Sequence, residues 1–95
     1  MPIYKIKLDP ETVRRLDIIE MYQGARGLTP EIKDWLNTTI GREVDIDTMV
    51  QASLKPERNY RLWNFTRSRD IQEDGSYIFR FLHPDDLMLF KLRWH

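Results

Sequence analysis

Tyr4, Ile6 and Leu8 alternate with Lys5 and Lys7 near the start of the chain, the period-two pattern of a half-buried strand. From Pro10 the apolar spacing lengthens to three and four. Val13, Leu16 and Ile19 share one helical stripe, widened by Ile18 and Tyr22, so a helix is expected from about Pro10 to Gln23, stopped by Gly24. A second stripe of Ile32, Trp35, Leu36 and Ile40 predicts another helix, ended by Gly41. Residues 42–57 admit two descriptions. Val44 and Ile46 suit a short strand, and Asp47 suits the cap of a helical turn through Met49, Val50 and Leu54; Pro56 ends either one. Next, RNYRLWNFTR (58–67) and SYIFRFL (76–82) are rich in β-favouring residues, with Asp74-Gly75 as a turn signal between them. An antiparallel hairpin is expected there.

Three helix starts share one grammar: Asp9-Pro10-Glu11, Thr29-Pro30-Glu31 and His83-Pro84-Asp85. Proline at the first helical position lacks only an amide that had no intrahelical partner, and the following acid complements the positive helix end. After Pro84 two periods compete. Leu87, Phe90 and Trp94 lie at helical spacing, whereas Met88, Phe90, Leu92 and Trp94 also alternate with Leu89, Lys91, Arg93 and His95. A helix from Pro84 to about Arg93 is the favoured expectation. The alternative is one helical turn and a closing strand, which would give a ferredoxin-like variant. The expected architecture is therefore α+β, in the order β-α-α-β-β-α, with a small, mainly antiparallel three-stranded sheet and helices on one face.

A length of 95 residues suits one domain. Without cysteine the chain has neither a disulfide framework nor a thiolate metal site. The opening MPIYKIKL lacks the apolar core of a signal peptide, and no apolar run approaches the roughly 20 residues of a membrane span. A cytoplasmic protein without membrane contact is expected. Fifteen basic and fifteen acidic residues cancel, which argues against a general polyanion binder. The sharpest local excess is Lys55 to Arg69, where five basic residues face only Glu57.

The residues for catalysis are few. His83 and His95 are the only histidines, and neither a metalloprotease helix motif, a serine triad order nor a phosphate-cradling glycine loop is present. Glu43, Asp45 and Asp47 have the oxygen ligands a hard cation needs, but solvent-facing acids and a helix cap account for them equally well. Asp85 and Asp86 are neighbours on a helix and point apart, which argues against an acid–base pair. The expectation is a protein that is not an enzyme and holds no metal or cofactor.

The aromatic hairpin carries more information. One face of its first strand holds Arg61, Trp63, Phe65 and Arg67, and the other holds Tyr60, Leu62, Asn64 and Thr66. The second strand sets Tyr77, Phe79 and Phe81 against Ile78, Arg80 and Leu82. A sheet covered on one side needs only one apolar face, so the surplus must be covered by residues 42–57, by the tail or by another molecule. Trp63, Phe65, Phe79 and Phe81 are assigned to the core with Tyr4, Ile6 and Leu8. Tyr60, Leu62, Ile78 and Arg80 are then the candidate protein-binding face of a small accessory protein, acting on a protein partner and able to self-associate. The alternative exposes Arg61, Trp63, Phe65 and Arg67 instead, where rings and arginines would bind single-stranded RNA or DNA.

Two resemblances accompany these readings. GSYIFRF followed by HPDD resembles the third strand and second helix of the RNA-recognition motif, which implies base stacking on alternate aromatics. Aligning Phe81 with that family's last aromatic sets Ser76 and Ile78 at the ring positions, one residue out of register. The ending YIFRF, PDD and FKLRW resembles small uncharacterised proteins of tailed, cyanophage-like viruses through Phe79, Phe81, Asp86, Phe90, Lys91, Leu92 and Trp94. It implies a phage accessory protein directed at a host or viral protein.

Overall fold

The computed structural model describes residues 2–55, 60–68 and 75–94. Strand β1 (Tyr4–Leu8) leads into helix α1 (Pro10–Leu16), whose N-terminus is capped where the sequence places it. The Asp9 carboxylate accepts the Thr12 N–H at 2.7 Å, and Pro10 occupies the first turn.

Helix α1 is shorter than its apolar stripe predicts. Asp17 adopts the left-handed conformation (φ 54°, ψ 49°) and its N–H closes on the Val13 carbonyl, ending the helix after two turns. The rest of the expected helix forms strand β2 (Ile19–Tyr22), which pairs with β3 (Ala25–Leu28) in a hairpin. Gln23 and Gly24 both have positive φ (52° and 79°), which suits the right-handed twist of a two-residue hairpin turn. Gly24 thus serves a turn rather than a helix stop.

Helix α2 (Pro30–Thr39) follows expectation, with Ile32 and Leu36 buried and Ile40 closing its end. Trp35 is half-buried, edge-on to Phe90 and Trp94. The ambiguous stretch holds a strand and a helix, but the strand stops before Val44, and Ile46, expected in it, opens the helix instead. A two-residue strand β4 (Arg42–Glu43) precedes helix α3 (Ile46–Ser53), and Asp45, not Asp47, is the cap, accepting from the Thr48 N–H at 2.7 Å. Strands β5 (Leu62–Arg67) and β6 (Tyr77–Phe81) pair antiparallel as predicted, and helix α4 (Pro84–Trp94) is the favoured reading of the tail. Asp74 of the expected turn, with Arg58 and Asn59, falls outside the described residues.

The fold is α+β, and its main sheet has four strands in the order β1-β6-β5-β4. The expected three strands are joined by β4, which pairs parallel to β5; β6 pairs antiparallel with both β1 and β5. Pairs Phe65–Phe79, Ile6–Phe79 and Trp63–Phe81 lie opposite one another and build an aromatic inner face. Val13 of α1, Ile32 and Leu36 of α2, and Phe90 and Trp94 of α4 pack in the same core. Helix α3 departs from the one-sided expectation. Its Met49 and Ala52 form a second cluster with Leu62 and Leu82, against which Tyr60, Val44 and Ile3 pack. These residues belong to the outer face of the sheet. Among the described residues, no helix is long and apolar enough to cross a membrane.

Candidate binding face

The outer face is divided by α3. Its Leu62 end is closed: Leu62 is buried and Tyr60 half-buried against the α3 cluster. The surplus apolar surface at this end is thus covered by α3, within the first of the three covers considered. Its other end carries no helix from the main core. There the register places Lys5 opposite Arg80 and Arg80 opposite Asn64, with Lys7, Ile78 and Thr66 in the adjacent row.

Arg80 is the centre of this open half. Its Nη1 donates to Asn64 Oδ1 at 3.1 Å and to Thr66 Oγ1 at 2.6 Å, while Asn64 Nδ2 donates to the Val44 carbonyl at 2.9 Å. The network holds the guanidinium over the strands in a defined position. Among the described residues, Nε and Nη2 of Arg80 make no hydrogen bond, and no carboxylate pairs with it. A guanidinium held by one nitrogen keeps a planar edge for an incoming carboxylate. Beside it lies a depression of about 380 Å³ lined by Ile46, Thr66, Arg67, Ile78 and Arg80. Two aliphatic side chains thus stand next to a fixed cation, with exposed Lys5 across the strand.

The four residues of the alternative nucleic-acid face do not form one surface. Trp63 is fully buried, its Nε1–H shared between the Gly41 carbonyl at 3.0 Å and Asn37 Oδ1 at 3.3 Å. Such a ring offers no face to a base. Phe65 is half-buried and stacked on Tyr77, with centroids 5.1 Å apart. Arg61 precedes β5 and pairs with Asp86, whose hydrogen bond raises the guanidinium pKa further, against a smaller effect of burial. Arg67 is exposed at the end of β5.

Asp86 is a buried carboxylate that sequence reasoning left unassigned. One oxygen accepts from Arg61, and the other has no hydrogen-bond partner. Beside it, His83 Nε2–H donates to the Tyr60 carbonyl at 2.6 Å. Both contacts fasten the approach to β5 onto the start of α4. Asp85 is exposed, so the two acids do point apart. Among the described residues, no cluster of three His, Asp or Glu side chains comes together as metal ligands.

Lys5, Lys7 and Ile46 join this face although sequence reasoning did not place them there. Alternation put both lysines on one side of β1, but only pairing with β6 identifies it as the side of Arg80. Comparison with known protein families, curated proteins and solved structures finds no match to this chain.

Proposed function

We propose that this chain is a small non-enzymatic accessory protein that binds an acidic, aliphatic-bearing segment of a protein partner through the open half of its sheet. The observation that carries this reading is Arg80, fixed by Asn64 and Thr66 with an unpaired planar edge beside Ile46 and Ile78. Ordered arginines at the centre of an interface dominate binding energy, and surrounding cations such as Lys5 accelerate encounter with an acidic partner. The phage-like ending supports a host or viral protein as that partner, in the cytoplasm. The nucleic-acid reading has less support, because the rings it relies on are buried or stacked within the fold.

A displayed library of ten-residue peptides tests the proposal. Enrichment of sequences combining Asp or Glu with Ile, Leu or Val is expected. The paired change Lys5→Glu and Arg80→Gln should weaken the enriched peptide about tenfold or more, an effect of roughly 1.4 kcal/mol, while the melting temperature holds. Enrichment of basic peptides, or of none, would reject the reading. Binding of an oligothymidylate with a steep log-linear salt dependence would favour the nucleic-acid alternative.

A further inference from the structure

A cleft of two lobes is lined jointly by the β2–β3 hairpin and by the end of the sheet that carries Arg67 and Tyr77. One lobe has a volume of about 410 Å³ and is lined by Met21, Arg26, Phe65, Thr66, Arg67 and Tyr77. A second lobe of about 340 Å³ lies beyond the cross-strand pair Met21–Arg26 and reaches Arg14 and Glu20. Both volumes are within the range of small-molecule sites. Met21, Arg26 and Tyr77 line both lobes.

Tyr77 is the unusual member. Its side chain is buried, 3 % exposed, yet its hydroxyl has no hydrogen-bond partner. Native folds pair the large majority of such groups, and an orphan at the wall of a cavity calls for an explanation. The other polar groups of the larger lobe are also donors. Arg26 is exposed and makes no ion pair or hydrogen bond among the described residues, and Arg67 lies at the strand end. No carboxylate lines this lobe among the described residues. Its apolar lining is Phe65, stacked on Tyr77 at an interplanar angle of 10°, together with Met21 of the hairpin. Met21 is 63 % exposed, and its unbranched thioether is a movable wall.

We propose that this lobe binds a small organic anion, a phosphate or carboxylate carried on a flat apolar body. Arg26 and the Tyr77 hydroxyl donate to the anion, and the flat body lies between Met21 and Phe65. The Tyr77 hydroxyl and Arg26 then acquire an acceptor, and Met21 shields the pair from water. Thr66 and Arg67 also line the depression beside Arg80, but Arg26 and Tyr77 line only this cleft, so substitutions at those two test this site apart from the protein-binding reading.

Calorimetric titration of the full chain with phenyl phosphate, benzoate, inorganic phosphate and benzyl alcohol tests it. Phenyl phosphate or benzoate should bind with Kd below roughly 1 mM, and the stronger of the two identifies the anion. Inorganic phosphate and the neutral alcohol should each bind about tenfold more weakly, showing that charge and ring are both read. Arg26→Ala and Tyr77→Phe should each weaken the better ligand about tenfold at an unchanged melting temperature. Absence of binding by both ring-bearing anions would overturn the proposal. So would binding that survives both substitutions, or a clear fall in melting temperature for Tyr77→Phe, which would show the hydroxyl already satisfied within the fold.

Discussion

Arg61 and Asp86, 25 residues apart, form an ion pair of unequal burial: 47 % of the arginine side chain is exposed, but only 1 % of the aspartate. The two halves therefore answer differently to removal. Arg61→Ala strands a buried carboxylate and should cost up to about 3 kcal/mol, the low end for breaking a buried pair because water already reaches the arginine. Asp86→Asn leaves a half-exposed guanidinium that hydrates readily, and about 1 kcal/mol is expected. Urea denaturation of both variants checks the order. A larger loss for Asp86→Asn would show that the aspartate is required by its helix rather than by the pair.

The caps of α1 and α3 make stability depend on acid. Backbone N–H groups of Thr12 and Thr48, with the threonine hydroxyls second, hold the Asp9 and Asp45 carboxyls below their usual range. A depressed folded pKa stabilises above the unfolded value and is lost as pH falls through the folded one. Asparagine caps equally well without titrating. The double variant Asp9→Asn/Asp45→Asn should match the wild-type melting temperature at neutral pH and fall less steeply between about pH 5 and pH 2. Parallel pH profiles would show that the caps contribute no charge-dependent stability.

Gly41 is required by a close approach. A Cβ built at this position would lie 1.8 Å from the Arg61 carbonyl oxygen, on backbone that cannot rotate away. The Gly41 carbonyl also accepts the Trp63 indole N–H. Gly41→Ala should therefore push β4 from β5 and cost about 3 kcal/mol, at the upper end for overpacking. Thermal melting measures it, with Gly27→Ala as the control, since a Cβ there meets nothing within 4 Å. Equal losses at both positions would exclude the steric cause.

Helix α4 presents two apolar faces with opposite fates. Phe90 is fully buried against Phe79 and Phe81, whereas Leu92 is 78 % exposed. Phe90→Ala should cost about 3–5 kcal/mol and Leu92→Ala less than about 0.5 kcal/mol. Trp35, half-buried edge-on to Phe90 and Trp94, should fall between them at about 2–3 kcal/mol. A large loss at Leu92 would show that its face is covered in solution, and sedimentation of the wild type would then reveal the association.

Local signals in the chain were sufficient where a single period agreed with its punctuation. Strand β1, helix α2 and the β5–β6 pair follow from alternation, a proline start and a glycine stop that all indicate the same element. The α1 stripe failed for a definable reason. Ile18 and Ile19 satisfy helical and strand spacing alike, and the choice was made by Asp17 entering the left-handed region and by Gln23-Gly24 closing a tight turn. Positive φ at Asp17 and Gln23 has only a weak sequence signal, because neither is glycine.

Composition and period alone determined an α+β domain and the alternation of its strand faces, and they favoured a helical tail after Pro84 over a closing strand. Those features depend on interactions within a few residues, namely side-chain spacing, caps and turns. Which strand face remained open depended on contacts between distant segments. Helices α1, α2 and α4 cover Trp63 and Phe79, α3 covers Leu62, and β1 brings Lys5 to Arg80 across 75 residues of chain. Alternation states that two faces exist but carries no information about which one a remote helix will bury. Only tertiary packing sets that choice, because burial is a property of neighbours in space.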